Sequence, residues 1–324
     1  MATLHTHLND LLGIAIPIFN APMTPQAGGA LAAAVSDAGA FGMLGFDEDE
    51  SAESIHAQVE LLHEKPGRNF GIGLVAWVLE RRPELLQLAI EAKPKLVSIS
   101  FGDPQPYVDR LHAEGILVAS QVQSKAWAQT AIDAGVDILI VQGTEAGGHT
   151  GAVGTLPLLQ IVLEMTDKPV IAAGGIATGR GLAAVLAAGA VGGWIGTPFL
   201  LACESRTASE AQARIASSDE TQTILTSVYD RIQGKAWPAE FRGRALRNPF
   251  VDKWNDNADE MMQTPDAITA FQKAKSERDF NTAHIYASQT VGLLDQVRSA
   301  RDIVTSIASS AIQHIAAVNR LLQL

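Results

Sequence analysis

Two glycine-rich turns flank an alanine-rich segment in residues 172–197, which read AAGGIATGRGLAAVLAAGAVGGWIGT. A short apolar run leads into each turn, and the segment between them stops at Gly189, a residue type that commonly follows the end of a helix. The pattern predicts a strand, then a helix over residues 181–188, then a second strand over residues 193–195. Such a unit sets two parallel strands side by side with the helix packed against them.

The same alternation extends over the first two thirds of the chain. Helices are predicted between the apolar runs, among them residues 29–38 and 125–134. The runs are rich in Val, Ile and Leu and show little strict alternation, which is typical of strands buried on both faces. They cover residues 14–19, 41–44, 70–74, 96–99, 116–119, 138–141, 169–172 and 193–195. Eight strand–helix repeats predict an α/β fold of the TIM-type (β/α)8 barrel class.

A doubly wound open sheet is the alternative fold. In that fold a glycine fingerprint follows the first strand. Here the first apolar run is followed by the sequence NAPM at residues 20–23 instead. The barrel is therefore the favoured fold.

Composition excludes several classes of protein. Of the 324 residues, 47% are hydrophobic and 18% are charged, so the chain can bury a large core and is not intrinsically disordered. The formal net charge of −11 disfavours nucleic-acid binding. One cysteine, Cys203, excludes an internal disulfide framework. No apolar run is long enough for a membrane span, and no signal-peptide pattern opens the chain. We expect a cytoplasmic monomer or homodimer that acts on small molecules.

The sequence pattern changes after Cys203. Mixed polar segments follow, with an irregular stretch at residues 233–257 that is rich in aromatic residues, among them Trp237, Phe241 and Trp254. We predict three parts: a barrel over residues 1–203, a smaller C-terminal helical lobe over residues 204–290, and helices over residues 291–324 that pack back on the barrel. The lobe is expected to cover one end of the barrel and contact the substrate.

Loops that follow the last two predicted strands favour a phosphate site. One contains Gly174 and Gly175, and the other contains Gly196 and Thr197. Glycines allow backbone amides to approach an anion, and a helix N-terminus adds a favourable dipole. Barrels commonly bind phosphate at these two loops. The alternative is that the glycines only allow tight turns.

A third glycine-rich loop, residues 142–151 with the sequence QGTEAGGHTG, follows the sixth predicted strand. Its one histidine, His149, is the only one of eight in a glycine-rich loop at a strand end, whereas the others fall in terminal or helical segments. A histidine there can act as a general base near neutral pH; the alternative role is a hydrogen bond that stabilises the loop.

The acidic run at residues 47–50 is expected to cap a helix, and no metal site is predicted.

These segments together resemble the nitronate monooxygenase family, formerly called 2-nitropropane dioxygenases. The resemblance extends to GRALRN at residues 243–248 and to YASQ at residues 286–289, and so covers nearly the whole chain. It implies a barrel that holds non-covalent FMN and oxidises nitronates with O2 to a carbonyl compound and nitrite. It also implies that His149 is catalytic and that the cofactor-binding residues are Ala21, Pro22, Met23, Gly73, Gln142, Gly147, Gly148, Gly174, Gly175, Trp194, Ile195, Gly196 and Thr197.

Three positions depart from the family pattern and bear on substrate preference. Gly73 lies in a segment where many bacterial members have Asn, Ser100 stands where some have His, and Trp194 replaces a common Gln. The leading hypothesis is oxidation of a small alkyl nitronate. An FMN-dependent NAD(P)H:quinone or enoyl reductase is the second hypothesis, and a non-redox barrel that binds a phosphorylated ligand is the third.

Overall fold

The computed structural model describes residues 3–321, so residues 1–2 of the predicted barrel and 322–324 of the predicted C-terminal segment lie outside it. Eight strands, β1–β6, β8 and β9, form one parallel sheet in the order β1-β9-β8-β6-β5-β4-β3-β2. The predicted TIM-type barrel is confirmed. The strands in this range are β1 (Ile18–Asn20), β2 (Gly42–Gly45), β3 (Phe70–Val75), β4 (Leu96–Ser100), β5 (Leu117–Val122), β6 (Ile138–Gln142), β7 (Gly148–Thr150), β8 (Val170–Ala173), β9 (Gly192–Ile195), β10 (Thr223–Thr226) and β11 (Arg242–Leu246).

The barrel closes between β1 and β2 partly through a side chain. Phe19 and Phe41 form an isolated parallel bridge. Beside it, Asn20 Nδ2 donates to the Met43 carbonyl at 2.8 Å and Asn20 Oδ1 accepts from the Met43 amide at 2.8 Å. The carboxamide thus imitates a peptide group and pairs with both polar groups of one residue on the neighbouring strand.

Helices follow most barrel strands and end where glycine allows a positive φ. Gly39, Gly135 and Gly189 have φ of +88°, +83° and +107°, so the helix ends predicted at these glycines are confirmed. The helices of the described range are α1 (His7–Leu12), α2 (Gly29–Asp37), α3 (Ala52–His63), α4 (Ala76–Leu79), α5 (Glu84–Glu91), α6 (Gln105–Ala113), α7 (Lys125–Asp133), α8 (Thr155–Leu163), α9 (Gly179–Ala187), α10 (Thr197–Leu200), α11 (Ser209–Ala216), α12 (Val228–Ile232), α13 (Pro249–Trp254), α14 (Ala258–Met262), α15 (Pro265–Glu277) and α16 (Ala300–Asn319), with a 3₁₀ helix at Gln289–Leu293.

Two apolar layers hold the barrel together. The inner layer fills the barrel with side chains such as Phe19, Met43 and Trp194, and Leu8 and Leu12 of α1 join it. The outer layer lies between the strands and the surrounding helices. A filled interior leaves the loops after the strands as the place where a ligand can bind.

The lobe over residues 204–290 contains strands as well as helices, which differs from the prediction of a helical lobe. Strands β10, β11 and β7 form a three-stranded sheet in which β11 pairs antiparallel with both neighbours. Strand β7 comes from the predicted glycine-rich loop of the barrel. This sheet therefore joins the lobe to the loop that carries His149.

The C-terminal helix α16 packs on the barrel over its first half. Val304 and Ile307 are buried in the layer shared with α9 and α2. Val318 and Leu321 are exposed, so the contact with the barrel is confined to the first half of the helix. None of the helices within residues 3–321 is both long enough and apolar enough to cross a membrane.

Candidate active site

The loop after β1 crosses the ends of the neighbouring strands. Pro22 lies so close to β3 that a Cβ on Gly73 would be 2.3 Å from Pro22 Cγ, and a Cβ on Gly45 would be 2.5 Å from the Pro22 carbonyl oxygen. Met23 reaches the end of β9, where its Sδ would lie 3.4 Å from a Cβ on Gly196. The structure therefore brings these predicted site residues together, and glycine at 73 makes room for the proline.

Backbone amides after β8 and β9 form a donor set at the same end of the barrel. Gly174 and Gly175 have φ of +93° and +72°, a region that glycine adopts without strain. Within residues 3–321, the amides of Gly174, Gly175, Gly196 and Thr197 donate no hydrogen bond to another protein group. Because β8 and β9 are parallel neighbours, the two turns meet at one edge. Four free amides suit an anion such as a phosphate.

Glu145 supports the first of these turns, a role that the sequence did not reveal. Its carboxylate accepts hydrogen bonds from the Thr155 amide at 3.0 Å and from Thr155 Oγ1 at 2.9 Å. Thr155 Oγ1 also lies 3.1 Å from the Gly174 carbonyl oxygen. The acidic side chain thus serves the N-terminus of α8, and its hydrogen-bonding capacity is directed away from the free amides.

Two glutamines link the ends of β5 and β6. Gln142 Nε2 donates to the His149 carbonyl at 2.9 Å, and Gln142 Oε1 accepts from Gln123 Nε2 at 2.9 Å. Gln123 Oε1 is buried and has no hydrogen-bond partner among the described residues. An unsatisfied buried acceptor points to a missing donor. Gln123 was missed in the sequence, although its place one residue past a strand end was a usable signal.

His149 lies in β7, paired with Gly243 of β11, so this part of the predicted loop is a strand. Its Nε2 is 2.9 Å from Asp230 Oδ1, with both side chains about 8% exposed. The indole of Trp237 stacks on the imidazole with ring centroids 3.5 Å apart and planes 6° apart. The ring is therefore held at its edge and on one face.

Two residues of the predicted phosphate set have side chains elsewhere. Trp194 stacks on Phe19 inside the barrel, with centroids 5.5 Å apart, and Ile195 packs in the outer layer towards the helices. Both are paired in the sheet with β1. Neighbouring residues on a strand point to opposite faces of the sheet, so neither side chain lies at the free amides. Any contact of Trp194 and Ile195 with a cofactor would therefore have to come from their backbone groups, and their assignment as cofactor-binding residues stays a prediction, as does that of Gly196 and Thr197.

The two glycines before His149 have different surroundings. A Cβ on Gly147 would lie 2.6 Å from the Ala287 carbonyl carbon, so the absence of a side chain here admits the backbone of the 287–288 segment. Gly148 has φ of +74° and open space where a Cβ would point. Gly147 thus has a packing role, whereas Gly148 sets the backbone direction into β7.

An aromatic cluster covers the site from the side of β3–β5. Trp237 of the lobe meets Trp77 and Phe101 edge-on, with centroids 5.2 Å and 5.0 Å away. Phe241 continues the cluster, 5.3 Å from Phe101 and 5.9 Å from Trp127. Phe101 has φ of +61°, a strained conformation for a bulky residue and one that is common near functional sites.

The barrel fold and the residues at its strand ends place this protein among the (β/α)8-barrel enzymes, whose chemistry takes place at this end of the barrel. Within that class, the family profile described as Nitronate monooxygenase matches residues 81–310. The chain belongs to the nitronate monooxygenase family. It is a flavin-dependent oxidoreductase.

Solved structures share this fold, and a curated relative is similar along the whole chain. The chain matches the structure of FabK from Thermotoga maritima with a TM-score of 0.86 and 28% identity over 99% of this chain and 100% of the other. It matches nitroalkane oxidase from Streptomyces ansochromogenes with a TM-score of 0.81 and 26% identity over 96% and 99%. It is also 28% identical, over 99% of both chains, to a Rhodococcus jostii enzyme named 5-hydroxy-7a-methyl-1-oxo-octahydro-1H-indene-4-carboxyl-CoA dehydrogenase with defined stereochemistry.

Proposed function

We propose that this protein oxidises small alkyl nitronates with O2 to a carbonyl compound and nitrite, with FMN as its flavin. The observation that carries the proposal is the placement of a buried, hydrogen-bonded histidine, His149, at the same barrel end as four free backbone amides. The family and the similarity to a nitroalkane oxidase support the substrate class.

The residues present fit the phosphate and the ring of FMN. The amides of Gly174, Gly175, Gly196 and Thr197 would hold the phosphate, and no carboxylate of the described residues takes their hydrogen bonds. The unpartnered Gln123 Oε1 would accept a hydrogen bond from an N–H of the flavin ring. A pyrophosphate turn of the Rossmann type is absent from the sequence, which favours FMN over FAD. When bound, FMN would supply the electron acceptor and the route of electrons to O2.

The protein side chains supply the proton chemistry. His149 would take the α-proton of a neutral nitroalkane as a general base, or stabilise the negative charge of a nitronate that is already ionised. The aromatic cluster around Trp237 would exclude water from that proton transfer.

Lys235 holds the lobe segment in place, because its Nζ lies 2.9 Å from Glu48 Oε2 and 2.7 Å from Asp49 Oδ2. We assign residues 204–290 the role of a lid.

The test is a comparison of two reactions of the purified holoenzyme. The cofactor released by heat is expected to have the mass of FMN. Oxygen uptake and nitrite release are expected with propyl-2-nitronate, and the same protein should hardly accelerate NADH oxidation. A colourless protein that fails to take up FMN would overturn the cofactor assignment.

The second candidate function is an FMN-dependent NAD(P)H:quinone or enoyl reductase. The full-length similarity to FabK and to a CoA-ester dehydrogenase favours it. Rapid anaerobic bleaching of the flavin by NADH, without nitrite release from nitronates, would put it in first place. The non-redox barrel loses its support because the family is one of flavin oxidoreductases.

A further inference from the structure

A buried carboxylate lies behind the histidine and has two donors within reach. Asp230 of α12 is 5% exposed. Its Oδ1 lies 2.9 Å from His149 Nε2 and 3.3 Å from Tyr286 Oη. A buried carboxylate is costly unless hydrogen bonds satisfy it, and an ionised carboxylate can only accept them. Both neighbours must therefore present a hydrogen to Asp230.

The surroundings keep these hydrogens in place. Burial, and secondarily the charge of Asp230, raise the pKa of Tyr286 well above its usual value, so its hydroxyl stays protonated and donates. Burial lowers the pKa of the neighbouring His284 to about 4, so this imidazole is neutral near pH 7 and brings no competing positive charge. The remaining donor to Asp230 is the Nε2–H of His149.

A neutral imidazole carries one hydrogen, so its other nitrogen holds the lone pair. With the hydrogen on Nε2, the lone pair of His149 is on Nδ1. Within the described part of the chain, Nδ1 of this ring makes no hydrogen bond, since the bonds of the imidazole are made through Nε2. The stack on Trp237, at 3.5 Å, fixes the plane of the ring and hence the direction of Nδ1.

We propose that Asp230 and Tyr286 are positioning residues that hold neutral His149 as its Nε2–H tautomer, so that Nδ1 is the atom that takes the substrate proton. This inference rests on the proposed function of the site. In the step it describes, the Cα–H bond of a nitroalkane breaks and an Nδ1–H bond forms. The electron pair of the broken bond becomes the C=N bond of the nitronate. The imidazolium then faces the carboxylate of Asp230, which stabilises its charge.

The decisive variant is Asp230→Asn, which keeps the shape of the side chain but can offer an N–H to Nε2. The tautomer of His149 would then reverse, and the hydrogen would occupy Nδ1. We expect kcat/KM for a neutral nitroalkane to fall about 10²- to 10⁴-fold, the usual contribution of a general base. For the preformed nitronate of the same compound, the loss should stay below about tenfold, because no proton remains to be taken. Asp259→Asn is the matched control, since Asp259 lies in the same lobe and its side chain is exposed.

Nitrogen-15 NMR of histidine-labelled holoenzyme reads the tautomer directly, and His149 can be assigned by the signals that His149→Gln removes. Recorded under alkaline conditions, wild type should show a protonated Nε2 and an unprotonated Nδ1, and Asp230→Asn should show the reverse or a mixture. A protonated Nδ1 in wild type would overturn the proposal, and so would an equal loss for both substrate forms with an unchanged tautomer.

The wild-type spectrum decides even where a variant does not fold or the enzyme is inactive on nitronates. A wild-type holoenzyme with the Nε2–H tautomer but no activity on nitroalkanes or nitronates would remove the proposed function while leaving the assignment of Asp230 in place. Tyr286→Phe supplies a second, milder variant, because it removes one of the two donors and keeps the ring 5.4 Å from His149. It should reduce turnover of the neutral nitroalkane by a smaller factor than Asp230→Asn.

Discussion

Gly175 provides a direct test of the anion site. In Gly175→Asp, a carboxylate would stand beside amides that are free to hold the phosphate, and we expect FMN retention to be lost through like-charge repulsion. The measurement is the flavin-to-protein ratio after gel filtration.

Gly67→Asp is the matched control for the strain of placing aspartate at a positive φ. Gly67 also has a positive φ, +77°, with open space around a Cβ, and it precedes β3 at the opposite end of the barrel. It should suffer the same conformational strain and keep its flavin. Equal flavin content in the two variants would show that the phosphate does not bind at the Gly175 turn.

His149→Asn tests the proposed role of this histidine as a general base. We expect kcat/KM for a neutral nitroalkane to fall about 10²- to 10⁴-fold, because asparagine cannot take the proton, and kcat/KM for the preformed nitronate to fall much less. Flavin should be retained, since the backbone pairing of β7 with Gly243 does not depend on the side chain. Steady-state kinetics of both forms at one pH give the ratio.

His112→Asn is the control, because it removes a histidine–aspartate pair that lies outside the candidate site. His112 Nε2 lies 2.8 Å from Asp137 Oδ2 on the surface, away from the strand-end loops, and both rates should match wild type. Equal losses for the two substrate forms in His149→Asn would show that the histidine positions the substrate. No loss for either form would make it structural.

Single residues at strand ends could be predicted where the loop chemistry is local. Gly174, Gly175 and Gly196 could be proposed from the sequence because they follow the last two predicted strands, where barrels commonly bind phosphate. Asp230 was not, since it lies 81 residues from His149 in a segment with no motif. The directions of Trp194 and Ile195 were also out of reach, because two consecutive apolar residues do not tell which one faces the interior of a barrel.

Among the elements, helix α13 depends on its N-cap residue, Asn248, which also forms hydrogen bonds outside the helix. Asn248 Oδ1 accepts from the Val251 amide at 2.9 Å and lies 3.0 Å from Tyr229 Oη, and Nδ2 donates to the Ala283 carbonyl at 3.0 Å. Asn248→Ala should lower the free energy of unfolding by about 2–4 kcal/mol, since it removes the cap and leaves a buried hydroxyl and a carbonyl unpaired.

Urea unfolding measures that loss, and Ser124→Ala calibrates it. Ser124 caps α7 by one hydrogen bond from the Trp127 amide, so its removal should cost only about 1 kcal/mol. Similar losses for the two variants would mean that the additional contacts of Asn248 contribute nothing.

Elements of the barrel were easier to predict than those of the lobe. The barrel strands are Val- and Ile-rich runs that recur with a helix between them, and their order follows from the chain. Strand β7 has the sequence GHT, which is short and lacks Val, Ile and Leu, and it pairs with a strand far along the chain, His149 opposite Gly243. The first predicted strand also began too early, because Pro17 lacks the amide that a strand requires.

On the scale of the whole molecule, His284 makes stability depend on pH. Its pKa is lowered by burial from 6.5 to about 4, so the unfolded chain binds a proton between these values while the folded chain does not. Stability is therefore fully present above about pH 6.5 and is lost as the pH falls towards 4, by about 3 kcal/mol at most. His284→Phe, which keeps a ring beside Tyr229 and Tyr286, should reduce this loss.

The measurement is the free energy of unfolding in urea at about pH 7.5 and about pH 5. His56→Gln, at an exposed position of α3, serves as the control and should keep the wild-type difference between the two values. An undiminished difference in His284→Phe would assign the acid sensitivity to other groups.

Ladders of backbone hydrogen bonds join seven of the eight neighbouring pairs of strands around the barrel, and the Asn20 carboxamide supports the eighth beside a single bridge. Deamidation of that side chain would replace the Nδ2 donor by a carboxylate oxygen that faces the Met43 carbonyl. Two acceptors would then oppose each other in a site without exposure to water, and one of the two hydrogen bonds between Asn20 and Met43 would be replaced by repulsion. The chemical integrity of one buried amide thus contributes to the closure of the barrel at its weakest seam, where the Phe19–Phe41 bridge would otherwise hold the two strands with a single remaining bond from Met43.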